Sequence, residues 1–244
     1  RDKLVTGVQT CALPILLIDR NGRVIAEADR PMKTAHPQPG WVEQDPDQMV
    51  DNVVACVREL LEKSDVDAGG LAGIGLDNHT ETLVLWRKDT GKPVHPAIMW
   101  QCRRSTAESQ SLDTETNRRS IRKRTGLDLD PTFTAAKLLW IVRNHPEIAA
   151  GLREGTILFG TVDCWLVWRL TGGRSYASEG SNASRTMLFR IDRMEWDPEL
   201  FELFQLNIAT LPEVCSSSGP FGECESSWFG ANVPIACILG DQQA

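Results

Sequence analysis

The chain has 244 residues, of which 41% are hydrophobic and 24% charged, and its formal net charge is -7. This composition is typical of a globular domain, and the acidic balance argues against nucleic acid or an anionic membrane surface as a partner. No apolar run approaches the roughly 20 residues that cross a bilayer. The seven cysteines are scattered without a CxxC pair or zinc spacing, which favours reduced structural thiols over a disulfide framework or a metal site. We therefore expect a cytoplasmic protein.

The first residues do not have the character of protein sequence. Residues 5–15 read VTGVQTCALPI, without the charged and apolar regions of a signal peptide. They match, codon by codon, the translation of a common sequencing-adapter string. We expect residues 1–15 to be an artefact of that kind, and we expect the chain to be a fragment of a longer protein; a genuine strand is the alternative.

From Leu16 the chain reads as folded protein. Apolar runs at 16–19 and 23–28 flank Asn21-Gly22, which is a strong hairpin signal. The segment HPQPGW predicts a loop, and Asp45-Pro46 predicts the start of a helix with Asp45 as its N-cap. Apolar residues at helical spacing give that helix one apolar face: Met49, Val53, Cys56, Val57 and Leu60.

Strands and helices then alternate. The runs LAGIGLD and TLVLWR predict two strands separated by NHTE, and AIMW is a further apolar run. An Arg-rich stretch at 101–124 predicts partly helical, solvent-facing structure, and helical patterns return at 133–144, 163–170 and 197–204. VPIACILGD predicts a buried strand. The alternation, with an early cluster of strands, indicates an α/β domain built on a mixed sheet flanked by helices.

Polar residues follow three of these predicted strands, as DNHTE, QCRR and DQQ. Chemistry in such sheets usually sits beyond the carboxyl ends of strands. Asp241, after the last strand, could accept a proton from a substrate hydroxyl, or it could be an ordinary loop or N-cap aspartate. Glu81 is a second acid, and Trp100 could be either an aromatic wall or core packing.

An arginine pair and the missing phosphate loop limit what these residues establish. Arg103 and Arg104 could bind phosphate, although an exposed surface pair is the commoner case. The sequence contains no glycine-rich phosphate loop of the Walker or dinucleotide type. The residues alone therefore indicate an α/β enzyme acting on a small polar ligand.

Seven motifs occur in order and at consistent spacing: GWVEQDP, AIMWQCRRS, GLDLDPTFTAAKLLWIV, LFGTVDCWLVWRLTGG, SNASRTMLFRI, LPEVCSSSGPFG and LGDQQA. Together they resemble the amino-terminal domain of the FGGY family of carbohydrate kinases, in particular its glycerol-phosphorylating members. The resemblance implies an actin-like, ribonuclease-H-like ATPase domain over residues 16–244, with a carboxy-terminal nucleotide-binding domain beyond it. It implies transfer of the γ-phosphoryl group of ATP, with Mg²⁺, to a small polyol held between the two domains. Homo-oligomer formation stays open.

The resemblance also assigns roles to residues. Asp241 matches the catalytic base, Gln242 contacts substrate, and Glu81 and Trp100 line the polyol pocket. Three departures matter, the first being that the Asp-x-Gly-Thr-Thr phosphate turn of the family is not found. The others are Thr80 and Thr132, which stand where an arginine and a tyrosine would line the pocket; His79 and Asp77 lie nearby as substitutes.

Three functions follow from these matches and departures. The first is phosphorylation of glycerol to glycerol 3-phosphate, the second is phosphorylation of another polyol or sugar in a pocket widened at Thr80 and Thr132, and the third is non-catalytic ligand binding. The nucleotide-site residues are expected outside the chain. We therefore expect the chain by itself to be inactive.

Overall fold

The computed structural model describes residues 15–244. The expected adapter segment lies outside the described residues except for Ile15, which pairs with Ala28 in the first strand. The strands of this part of the chain are β1 Ile15–Ile18, β2 Val24–Ala28, β3 Thr34–Ala35, β4 Glu43–Gln44, β5 Ile74–Asn78, β6 Val84–Arg87, β7 Ala97–Ile98, β8 Ile157–Gly160, β9 Ala177–Glu179, β10 Phe189–Arg190, β11 Glu195–Trp196, β12 Glu213–Cys215, β13 Glu223–Cys224 and β14 Val233–Gly240. The helices are α1 Pro46–Ser64, α2 Thr106–Ser111, α3 Glu115–Thr125, α4 Thr134–Asn144, α5 Pro146–Glu154, α6 Val162–Leu170, α7 Gly180–Ser184, α8 Pro198–Leu203 and α9 Ser226–Phe229.

The amino-terminal hairpin and helix form as predicted. β1 pairs antiparallel with β2, and Gly22 in the connecting turn has a φ of 78°, a conformation that glycine adopts without a steric penalty. Asp45 caps α1 by accepting a hydrogen bond from the Asp47 N–H at 2.9 Å. The helix buries Met49, Cys56 and Leu60 as expected, together with Val50 and Val54. The other two predicted residues of this face, Val53 and Val57, are half-buried.

The sheet that positions the site is mixed, as predicted. β14 runs parallel to β5 on one side and antiparallel to β13 on the other. A second pair, β6 with β8, is antiparallel and carries the buried Trp86 and Phe159 of the core. α6 packs against both β5 and β8. Its buried Trp165 also contacts Trp86 of β6, with ring centroids 5.2 Å apart.

Two features of the fold were not indicated by the sequence patterns. β5 and β6 are consecutive, but each pairs with a distant strand, β14 or β8 respectively. The sequence patterns also missed α5 and β8, where a short helix opening on Pro146 leads into a fully buried four-residue strand. A short apolar run of that kind has no periodicity that separates strand from helix.

No helix within residues 15–244 has the length and apolar character to cross a bilayer.

Asp163 links α6 to β9 within the core and makes the stability of the fold dependent on pH. Its side chain is fully buried and accepts hydrogen bonds from the hydroxyls of Thr161 and Ser178. Burial raises the pKa of Asp163 from 3.8 to about 6, despite these hydrogen bonds. The folded state therefore holds this proton more tightly than the unfolded state, and stability from this group is lost as the pH rises from about 4 through 6.

Asp163→Asn should remove this dependence. Relative to the wild type, the variant's free energy of unfolding should rise by about 2 kcal/mol between pH 4 and pH 7, since each pKa unit corresponds to about 1.4 kcal/mol and most of the shifted range lies above pH 4. Urea unfolding of both proteins at the two pH values measures this. The control is Asp192→Asn: Arg190 lowers the pKa of the exposed Asp192 carboxyl, so that group titrates mainly below pH 4 and its difference should stay nearly constant over this range. An unchanged difference for Asp163→Asn would contradict the prediction.

Candidate active site

Two parallel strands deliver the predicted acids to one edge of the sheet. In the β5–β14 ladder, Leu239 pairs with Asp77 and Gly240 with Asn78. Directly beyond the ladder, the Asp241 N–H donates to the Asn78 carbonyl at 2.9 Å. Asp241 and the segment 79–81 therefore leave the sheet side by side, as expected for polar residues at the carboxyl ends of neighbouring parallel strands.

Gly240 allows this close approach. A Cβ at position 240 would lie 2.5 Å from Thr80 Cγ2 and 2.6 Å from Gln243 Oε1. The Gly240 N–H donates to Ser181 Oγ at 2.8 Å, so α7 fixes the end of β14 from a second direction. Thr80 is 3% exposed, and its methyl group packs against Gly240 behind the site.

Glu81 is held at both its backbone and its carboxylate. Its φ of 64° lies in the left-handed region, which non-glycine residues rarely adopt. Its carbonyl accepts hydrogen bonds from Thr134 Oγ1 and Lys137 Nζ, both at 3.2 Å. Its carboxylate accepts from Arg185 Nε at 2.6 Å. These bonds fix a strained backbone and a buried acid in one orientation.

The acids influence one another electrostatically. Burial raises the pKa of Asp241, and the negative charges of Asp77 and Glu81 raise it further. Burial also lowers the pKa of Lys137 to about 7, with the Glu81 charge opposing that shift. Asp241 is thus a carboxylate with increased basicity, which suits proton abstraction from a hydroxyl.

The remaining predicted residues surround this pair. Trp100 is 39% exposed. Its backbone N–H donates to Thr82 Oγ1 at 3.2 Å, so Trp100 lies beside the segment that carries Glu81. Thr132 is half-buried, and its carbonyl accepts a hydrogen bond from Lys137 Nζ. Gln242 follows Asp241 and is exposed.

Of the two residues named as substitutes in the pocket, Asp77 is exposed at the end of β5. His79 is half-buried, and its Nε2 is buried with no hydrogen-bond partner among the described residues. Burial and the Lys137 charge lower the pKa of His79 to about 4, so the ring is neutral at physiological pH.

The two neighbouring arginines lie in different environments. Arg103 is exposed and pairs with Asp130 at 3.2 Å. The Arg104 side chain is fully buried and pairs with Glu43 at 2.7 Å, with its guanidinium 4.0 Å from the centroid of the Trp41 ring. The expectation of an exposed surface pair therefore holds for Arg103 and is wrong for Arg104, which an aromatic environment and an ion pair retain in the core.

Several residues that the sequence analysis did not single out hold Glu81 and Asn78 in place through hydrogen bonds. Arg185 and Lys137 hold Glu81, while Asn182 exchanges amide hydrogen bonds with Asn78 at 2.8 and 3.3 Å. The buried Glu179 accepts from the Asn182 N–H and from Ser217 Oγ. Arg185 and Asn182 lie within the SNASRT motif, which the sequence analysis used for the family resemblance. The motif alone did not indicate that these two residues contact Glu81 and Asn78.

Comparison with known proteins agrees with this architecture. Residues 8–244 match the amino-terminal domain of the FGGY family of carbohydrate kinases. The chain is 42% identical over 224 residues to a glycerol kinase of Citrifermentans bemidjiense, covering 92% of this chain and 45% of that protein. It is 46% identical over 209 residues to a glycerol kinase of Cereibacter sphaeroides, covering 86% of this chain and 42% of that protein. The chain thus spans about half the length of the curated relatives it matches.

Solved structures give the same result. The glycerol kinase of Plasmodium falciparum, determined with ADP, has a TM-score of 0.88 and 29% identity, covering 95% of this chain and 46% of that one. A xyloylose kinase from Brucella ovis has a TM-score of 0.84 and 27% identity, covering 96% and 46%. The predicted fold, an actin-like α/β domain with a mixed sheet, is confirmed.

The contact between Gly240 and Thr80 can be tested by a pair of substitutions. Gly240→Ala introduces a methyl group 2.5 Å from Thr80 Cγ2, and such overpacking typically costs about 1–3 kcal/mol. Adding Thr80→Ser removes that Cγ2 and should restore part of the loss. Urea unfolding measures both variants, with Gly70→Ala as the control because a Cβ there meets nothing within 4 Å. Equal stabilities of Gly240→Ala and Gly70→Ala would refute the packing constraint.

Proposed function

The chain belongs to the FGGY family of carbohydrate kinases, and on this premise we propose that it is the amino-terminal, substrate-side part of an ATP-dependent polyol kinase. Glycerol is the first candidate substrate and glycerol 3-phosphate its product. The observation that carries the proposal is the meeting of Asp241 and the Glu81 loop at the ends of two parallel strands, beside an exposed tryptophan. Two carboxylates and an aromatic ring suit a small compound with several hydroxyl groups.

In the proposed mechanism, Asp241 is the general base. It accepts the proton of the reacting hydroxyl as that oxygen attacks the γ-phosphorus of ATP and the bond to the ADP oxygen breaks. Glu81 accepts a hydrogen bond from a second hydroxyl, Trp100 covers the C–H face, and Gln242 contacts the substrate. Because the Asp241 pKa is raised, its carboxylate is a stronger base than that of an ordinary aspartate.

The donor set around Asp241 fits magnesium. Mg²⁺ prefers oxygen ligands and is usually bound through one or two carboxylates together with substrate phosphates. Asp241 and the exposed Asp77 supply such oxygens at one sheet edge. When bound with ATP, the ion would neutralise phosphate charge.

The proposed organisation requires more protein than this chain. We assign residues 16–244 to the substrate side of a cleft and the nucleotide to a carboxy-terminal domain, since the relatives are about twice as long. Phosphoryl transfer depends on positioning by groups on both sides of such a cleft. The activity, the polyol substrate and a cytoplasmic location are therefore proposed for the whole protein, and residues 16–244 alone should be inactive.

A kinase for another polyol or sugar is the second candidate. The likeness to the Brucella ovis xyloylose kinase supports it, as does the presence of Thr132 where the resemblance implies a tyrosine. The third candidate is a non-catalytic binding protein, in which Asp241 would have no role as a base.

Asp241→Asn tests the proposed base in the full-length protein. The amide has the same shape but cannot take the hydroxyl proton, so kcat should fall about 10²–10⁴-fold while the substrate Kd changes little. Steady-state kinetics and calorimetry measure the two quantities, with the exposed Asp113→Asn as control. Turnover close to that of the wild type would remove Asp241 from the mechanism, and a wild type that phosphorylates no polyol or sugar would favour the binding protein.

Thr132 is proposed to set substrate preference, and Thr80 to contribute through its packing on Gly240. Thr132→Tyr fills space beside the pocket and adds one hydroxyl, so kcat/KM for glycerol should rise relative to four- and five-carbon polyols. The measurement is kcat/KM for each polyol with wild type and variant, and Thr210→Tyr at a remote loop is the control. If the wild type already strongly prefers glycerol and Thr132→Tyr leaves the ratio unchanged, position 132 does not set preference.

A further inference from the structure

Arg185 is a cation that lies beside the Glu81 carboxylate and has no role in the proposed mechanism. It caps the carboxyl end of α7, the helix whose Ser181 holds the end of β14. Its Nε donates to Glu81 Oε1 at 2.6 Å, and 35% of its side chain is exposed, against 9% for Glu81. The ion pair therefore has one buried acceptor and one donor that reaches solvent.

The Arg185 guanidinium has hydrogen-bond donors that Glu81 does not use. Among the described residues, only the Arg185 Nε has a hydrogen-bond partner. The two terminal nitrogens have none, and neither of them is fully buried. The group lies 4.9 Å from the centroid of the Phe133 ring, next to Thr132. Stacking on this ring restricts the guanidinium plane, so its free N–H groups stay beside the Glu81 carboxylate.

The geometry points to Arg185 as a specificity-determining residue that recognises a vicinal diol. A carboxylate accepts hydrogen bonds only, and a guanidinium donates them only. Side by side, Glu81 and Arg185 are complementary to two adjacent hydroxyl groups, one donating to Glu81 and its neighbour accepting from an Arg185 terminal nitrogen. This inference rests on the proposed function and names the substrate class of that same site.

The test compares diols on the full-length protein. The wild type should favour 1,2-propanediol over 1,3-propanediol in kcat/KM. Arg185→Met keeps much of the side-chain length but removes the donors, and it should raise the KM for vicinal polyols about tenfold to a hundredfold, the usual effect of losing a charged hydrogen bond. The preference for the 1,2-diol should fall by a similar factor, while the KM for ATP stays unchanged.

Two further variants keep the result interpretable. Arg174→Met removes an arginine with an equally short ion pair, to Glu225 at 2.6 Å, away from the site, and it should keep the wild-type preference. Arg185→Lys keeps the charge beside Glu81 but loses the forked donors, and it should lose part of the preference. If Arg185→Met does not fold, Arg185→Lys decides.

The outcomes separate the inference from the proposed function. A wild type that phosphorylates polyols, combined with unchanged diol preference in the Arg185 variants, overturns the inference and leaves the proposed function standing. A loss of preference that appears equally in Arg174→Met also overturns it. A wild type that phosphorylates no polyol overturns the proposed function and this inference with it.

Discussion

The parallel pairing of β14 with β5 is the constraint on which the site depends. Side by side, these strands end at the same sheet edge, and the hydrogen bond from the Asp241 N–H to Asn78 extends their contact by one residue. Gly240 makes this possible because any side chain there would collide with Thr80. The two acids come from positions 160 residues apart in the chain, so only this register brings them together.

The negative charges of Asp77, Glu81 and Asp241 repel one another at this sheet edge. Two basic side chains, Lys137 and Arg185, hold Glu81 in place. Lys137 is wholly buried and bonds to the backbone carbonyls of Glu81 and Thr132, so it ties two walls of the pocket together. Arg185 neutralises the Glu81 carboxylate from the solvent side. Burial raises the pKa of Asp241, the charges of Asp77 and Glu81 raise it further, and a raised pKa is the property that a general base needs.

Local signals in the sequence predicted much of the fold and placed Asp241 and Glu81 after predicted strands. Asp45-Pro46, Asn21-Gly22 and the periodic apolar faces each act within a few residues, so their outcomes follow from the chain itself. The pairing of β5 with β14 rather than β6 could not be predicted, because it depends on contacts distant in sequence. For the same reason the roles of Arg185 and Lys137 needed the structure, since neither lies near Glu81 in the chain.

The central claim is that Glu81 and Asp241 hold one substrate between them. A crystal structure of the full-length protein with glycerol and a non-hydrolysable ATP analogue tests it most directly. The account predicts one hydroxyl of the polyol within hydrogen-bond distance of the Asp241 carboxylate, facing the γ-phosphate, and another on Glu81. A polyol bound elsewhere, or one that contacts neither carboxylate, would contradict it.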